Sequence, residues 1–534
     1  MFTPSSQHSP GSTPSWWFSS VESTLVWPSL RPYHLLQAPL TSIVEMDDEA
    51  DSVGLQADPH CSSLRLPPHL HGGHAAYSRG GLDDRAEMTR FVDAFIKYIH
   101  AKQPLIDPSL LYNQIAVVEE EGLGWDAATC LLLIACALGG ICTPYDHSRL
   151  EDYSKPSIDA EQYLRSREYF DAGRKRLGLV MGHASITGAQ CFFLTAGYYV
   201  TTFKPLASWR CLNAASMMCK NVLMKTVGES AMINGVLGNA KKAPDNSHRK
   251  LFWSCLKTER EIATELGFEI ANLQLIQYES LPLLMPDSEP YPAGEIGESR
   301  LPLSWTPGMS DGPAFTAAQH EQSWFYYLTD ISLRKLEIRI DAFFAAEQAK
   351  QPGLSIEARE SFYREILATL VDLDKQIVDH SLHLPDSITL EMDESGHCYD
   401  DLREYLRLRI MIIRHTLSRP AIHFILHGDL DELSATLRAQ AIEMANRALQ
   451  IDEYLMAHGL TTHRHPGTWL GIRYCIRAAL ELIATAKASV PDLNLSPTWE
   501  QKMQKFKTAL KYWGTESADA RMYLQWIVRL ESPA

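Results

Sequence analysis

The stretch Arg249–Gly267, RKLFWSCLKTEREIATELG, constrains the fold of this chain more than any other. Phe252, Cys255, Leu256, Ile262, Ala263 and Leu266 recur at helical spacing, with Lys250, Ser254, Lys257, Glu261 and Glu265 opposite them. Gly267 stands where such a helix ends and the backbone turns left-handed. Glu259 breaks the pattern, because it falls inside the apolar stripe. A carboxylate there is costly to bury unless a cation and hydrogen bonds accompany it. Two readings follow: a structural buried ion pair, or a polar group facing a ligand cavity. Glu259→Ala is expected to destabilise the fold; a thermal melt unchanged by it would place Glu259 in solvent.

At 534 residues the chain is long enough for several domains. Its hydrophobic content of 45% and charged content of 21% suit a soluble globular protein. The formal net charge of −16 argues against a nucleic-acid binder, which needs a basic face to displace phosphate counterions. Most of the ten cysteines lie in apolar helical runs, which points to free thiols in a reducing compartment, cytosol or nucleus. No secretory leader pattern opens the chain. The longest apolar run, Cys130–Cys142, has 13 residues and reads as a buried core helix rather than a membrane span.

Residues 1–85, rich in Ser, Pro, Gly and His, read as a disordered linker, with Trp27-Pro28 as a short anchoring point. From residue 86 to 534 nearly every segment is helical in pattern, and the fold class is all-α. Asp107, followed by Pro108, and Asp126 are candidate N-caps. Pro205 separates helices at 184–201 and 206–226, and 228–247 has loop chemistry. Seven prolines mark 282–318 as a loop that either divides two helical halves or lies across the surface. Pro420 is expected to break the next helical run, with a new helix after Ser418.

LFWSCLKTERE followed by ELG resembles the central motif of the regulatory (middle homology) domain of fungal zinc-cluster transcription factors. Further segments resemble the same domain: FIKYIHAKQPLIDPSLLYNQ, KPLASWRCL, WFYYLTDISLRKLEIRI, DLREYLRLRIMIIRHTLSRPAIHFIL and HPGTWLGIRYCIRAALELIATAKA, so the resemblance runs from about 85 to 490. The resemblance implies an all-helical, nuclear regulatory domain, found also in the cytoplasm, that senses a partner or small effector and influences transcription. Complete family members carry an N-terminal module whose cysteines hold zinc through C-x2-C halves. No C-x2-C occurs here, so direct DNA binding by that route is not expected, and zinc would enter only with a module upstream of Met1. Partners would be other transcription regulators or a complete family member; no membrane is involved.

No HExxH, GxSxG, GxxxxGK[ST] or GxGxxG motif is present, and no catalytic constellation stands out. His423 and His427 are four apart and could share a metal, but no third ligand is evident; His463 and His465 suit surface or capping duty. Arg403, Arg407 and Arg414 fall on one helix face. Together with Trp253, Glu259 and Arg260 they are the candidates for an effector pocket or a buried ion pair. Trp209, Trp253 and Trp469 read as core or pocket lining. The alternative function is an enzyme or small-molecule-binding protein on the same helical scaffold.

Overall fold

A computed structural model describes residues 20–33, 35, 81–142, 160–182, 184–227, 246–268, 273, 276, 282, 317–350, 356–390, 400–428, 434–460 and 463–531. The expected loops at 228–247 and 282–318 fall almost wholly outside these residues. Among the described residues every regular element is helical, as the periodicity requires. The α-helices are α1 (Val21–Leu25), α2 (Arg85–Phe95), α3 (Pro108–Glu121), α4 (Ala127–Ile141), α5 (Ala160–Arg174), α6 (Leu177–Met181), α7 (Ile186–Thr201) and α8 (Pro205–Val227). They continue as α9 (Asn246–Leu266), α10 (Ala317–Lys350), α11 (Ile356–Leu382), α12 (Asp401–His427), α13 (Ala435–His458), α14 (Thr468–Ala488), α15 (Trp499–Trp513) and α16 (Ala518–Glu531).

The caps are where the local chemistry puts them. Asp107 accepts the Ser109 N–H at 3.0 Å, with Pro108 in the first turn, and Asp126 accepts the Thr129 N–H at 2.8 Å. Gly267 has φ +72°, and the Phe268 N–H reaches back to the Ala263 carbonyl at 2.8 Å, closing α9 by a Schellman turn.

The apolar run forms α4, which is buried on every side and packs against α2, α5 and α7. Close approach to α2 depends on Gly139: a Cβ there would stand 1.8 Å from the Phe91 carbonyl oxygen and 2.9 Å from the Phe95 nitrogen. Gly139→Ala is therefore expected to cost about 1–3 kcal/mol by overpacking. A thermal melt equal to that of the wild type would mean that α2 and α4 are not in contact.

Two expectations are corrected. Within the 1–85 linker, Val21, Leu25, Trp27, Leu30 and Leu35 are buried in the core, and α1 packs on α14. Ser20 caps this helix by accepting the Ser23 N–H at 3.1 Å. The segment is thus an anchored piece of the fold, of which Trp27-Pro28 was the visible part. The other correction concerns Pro420, which lies inside a continuous α12 rather than between two helices. Leu417, Ala421 and Ile422 around it are buried, and tertiary packing on both sides offsets the lost backbone hydrogen bond.

The core is one connected set of apolar side chains running from Val21 to Leu530. Within it α9 packs on α7, α8 and α10. No helix among the described residues is long and apolar enough to cross a membrane.

Candidate functional site

Helix α9 is more deeply enclosed than an amphipathic reading implies. Glu259 is 0% exposed, as its place in the stripe requires, but Ser254, Lys257 and Glu265 on the opposite face are buried too. That second face is held by charge. Lys257 Nζ donates to Asp330 of α10 at 2.5 Å. Glu261 accepts from Arg334 of α10 at 2.7 Å and from Arg409 of α12 at 2.6 Å. Arg334 also reaches Glu337 at 2.9 Å. Lys257, Arg334 and Arg409 thus face Glu261, Asp330 and Glu337 in a balanced network that clamps three helices together.

The network sets the acid response. Burial alone would raise the Glu261 carboxyl, but Arg334 and Arg409 outweigh it and hold it down to about 2. Lys257 and the same arginines hold Asp330 below the usual carboxylate range against burial. A depressed carboxylate stabilises the fold above its unfolded pKa and loses that contribution as pH falls through its folded value. For Glu261 the contribution is about 3 kcal/mol, present above pH 4.5 and lost towards pH 2. Urea denaturation over this range is expected to show a steeper loss for the wild type than for Glu261→Gln. Equal slopes would remove Glu261 from the network.

The candidate residues do not converge on one cavity. Trp253 is buried against Phe252, with Lys335 Nζ 5.6 Å from its ring centre. Arg260 pairs with Asp341 of α10. Arg403 donates to the carbonyls of Asp386 and Ser387, securing the turn before α12. The Arg407 guanidinium lies 4.5 Å from the Tyr454 ring centre, and Arg414 binds Asp374 of α11 at 2.7 Å. The three arginines that share a face of α12 by spacing therefore tie it to three different neighbours. Trp469 is core, donating to Asp519 at 2.8 Å, and Trp209 packs on Phe268 with ring centres 4.5 Å apart.

A second buried cluster joins α12, α13 and α14. His415 Nε2 lies 2.9 Å from Asp452 and 3.0 Å from Glu481, and Arg419 Nε donates to the other Glu481 oxygen at 2.6 Å. His415, Asp452 and Glu481 place one ligand atom each within 4.8 Å of one another, a spacing that could suit a divalent ion. The donor set does not fit one. The imidazole nitrogen is already engaged by both carboxylates, and Arg419 and Arg477 bring positive charge to the place a cation would fill. Burial lowers the basicity of His415, but Asp452 and Glu481 outweigh it and raise its pKa, so the proton is held between imidazole and carboxylates.

From this cluster the N-terminal segment is gripped directly. Arg419 Nη2 donates to Thr24 Oγ1 at 2.9 Å. Arg473 of α14 donates to Glu265 at 2.6 Å, to Tyr523 at 2.6 Å and to Glu22 at 2.7 Å, joining α9, α16 and α1. His423 and His427 pack edge-on to Trp27, with ring centres 5.3 and 5.8 Å away. Burial pushes the His423 pKa down to about 3, so the ring meets the indole in its neutral form. His465 caps locally, accepting the Gly467 N–H at 3.0 Å, while His463 is buried rather than on the surface.

Asp330, Arg334, Arg409, Arg419, Arg473 and Glu481 were not among the sequence candidates. For α14 a signal existed: Arg473, Arg477 and Glu481 recur every four residues inside an apolar run, as Glu259 does singly in α9. Comparison of the chain with protein-family models, curated proteins and solved structures finds no match.

Proposed function

We propose that this chain is a regulatory protein of RNA polymerase II transcription: a nuclear helical body that acts through protein contacts. The observation that carries this reading is α9. The helix whose LFWSCLKTERE sequence resembles the family's central motif is buried on both faces, and ion pairs join it to α10, α12 and α14. Its charges are spent on holding helices together. That favours a signal-transmitting scaffold over an enzyme, whose ionisable groups converge on an accessible pocket. Partners in this reading are other transcription regulators or a complete family member, and a small effector is compatible with it.

A tethering experiment tests the proposal. The chain is fused to an unrelated DNA-binding domain upstream of a reporter gene in a fungal cell. Output above or below that of the DNA-binding domain alone is expected, and it should return to that level when Glu261 and Arg409 are both replaced. Output equal to that of the unfused domain counts against a regulatory role.

A further inference from the structure

Residues 20–33 lie in a groove walled by α12 and α14, and their contacts follow the order of the sequence. Glu22 meets Arg473 at 2.7 Å, and Thr24 accepts from Arg419 at 2.9 Å. Trp27 packs on His423 and His427, and Ser29 Oγ lies 3.4 Å from His427 Nε2. Tyr33 has Lys487 Nζ 4.8 Å from its ring centre. The segment thus advances with both helices, from Arg473 to Lys487 on α14 and from Arg419 to His427 on α12. We propose that this groove is a docking site for a short peptide of another protein, one that carries a carboxylate five residues before a tryptophan, and that residues 20–33 occupy it in cis as a competitor. The proposal rests on the protein-contact reading above for its purpose, while peptide binding itself is independent of transcription.

The two arginines that grip the segment are held from the body of the protein as well. Arg473 Nε donates to the Glu265 carboxylate and Nη1 to the Tyr523 hydroxyl, both at 2.6 Å, while Nη2 reaches Glu22. Arg419 Nε donates to Glu481 at 2.6 Å, while its Nη2 reaches Thr24. When the segment leaves, each guanidinium keeps a buried carboxylate, so no uncompensated charge is created. The donors are aimed in advance at whatever lies in the groove, which lowers the ordering cost of binding.

The segment itself has the form of a bound peptide. It closes main-chain hydrogen bonds on itself: the Trp27 N–H donates to the Thr24 carbonyl at 3.1 Å, the Leu30 N–H to Trp27 at 2.9 Å and the Tyr33 N–H to Leu30 at 3.1 Å. Val21, Leu25, Trp27 and Leu30 are buried, whereas Pro28, Arg31 and Pro32 face water. A short helix and turn with one apolar face down and its back exposed is the helix-in-groove mode of peptide recognition.

Two features set what the groove selects. The Arg473 guanidinium, 0% exposed, recognises a carboxylate at the head of the peptide. The cage of His423, His427 and Arg419 takes an indole, with the guanidinium 4.9 Å from the ring centre. After Leu35 the next described residue is Gly81, so the chain leaves a long tether between the segment and α2, and withdrawal from the groove need not displace that helix.

The probe is a fluorescein-labelled peptide of residues 20–33, SVESTLVWPSLRPY, titrated by anisotropy against the full chain and against its Trp27→Ala variant. Saturable binding to the variant is expected, with a rise in its melting temperature as peptide is added. The wild type should bind at least ~10-fold more weakly, because its own segment competes at high effective concentration. Peptides carrying Trp27→Ala or Glu22→Lys should each lose at least ~10-fold in affinity for the variant chain. Should the Trp27→Ala chain not fold, Glu22→Lys of the full chain, which leaves the buried indole in place, takes its role with the same order of affinities. A peptide that binds neither variant chain overturns the proposal. So does one that binds the wild type as tightly as the variants, or one that loses nothing through either peptide substitution. None of these readouts involves transcription, so their failure is distinguishable from a failure of the regulatory reading.

Discussion

Glu481→Ala is expected to lower the stability of the chain by about 3–5 kcal/mol at neutral pH, the cost of breaking a buried ion pair from one side. Glu481 is 0% exposed and Arg419 is 1% exposed, so water cannot replace the lost carboxylate. Arg419 would keep Thr24 as a partner, but a hydroxyl does not neutralise a guanidinium. His415 would keep Asp452 as its remaining carboxylate neighbour in the cluster, and that carboxyl is itself pushed up to about 6, chiefly by burial. A marginal stability of roughly 5–15 kcal/mol makes such a loss severe. Replacing both partners, as in Arg419→Met/Glu481→Leu, should recover much of it, because similar-sized apolar groups leave no orphaned charge. Urea denaturation of the three proteins checks this. A double variant as unstable as Glu481→Ala would mean that packing, not charge, decides the site.

Trp27→Ala is expected to cost about 3–5 kcal/mol, the range for truncating a large buried aromatic residue. Trp27 is 1% exposed, packs edge-on against the adjacent His423 and His427 rings, and has the Arg419 guanidinium 4.9 Å from its ring centre. Truncation would empty that cage and strip the arginine of a cation–π neighbour. The same change should loosen α1, which would still be held by Val21 and Leu25 in the core, by the hydrogen bond of Thr24 to Arg419 and by the ion pair of Glu22 with Arg473. Limited proteolysis within residues 20–35 should then run faster at temperatures well below the melt. A melt and a digestion pattern identical to those of the wild type would show that this segment does not contribute to the core.

Much of the helical plan was legible because its signals are local. Asp107, Asp126 and Gly267 announce their own caps within a turn, and apolar spacing fixes the helix interiors. The burial of Glu259 was legible for the same reason. Its neighbours Lys257, Glu261 and Glu265 read as a polar face because their partners, Asp330, Arg409 and Arg473, lie 73, 148 and 208 residues away in the sequence. Helical spacing identifies faces but not the element that each one meets. The arginines Arg403, Arg407 and Arg414 share a face by arithmetic, yet their side chains reach different neighbours. Pro420 and the segment 20–35 failed differently: there tertiary packing overrides a local preference that sequence reading counts as decisive.

The most direct measurement of the central claim is chromatin immunoprecipitation of the tagged full chain after crosslinking, with an untagged strain as control. Enrichment at discrete promoters, lost when Glu261 and Arg409 are both replaced, is the expected result for a helical regulator working through its α9 scaffold. A chain evenly absent from chromatin, with turnover of a small metabolite by the purified protein, would contradict it.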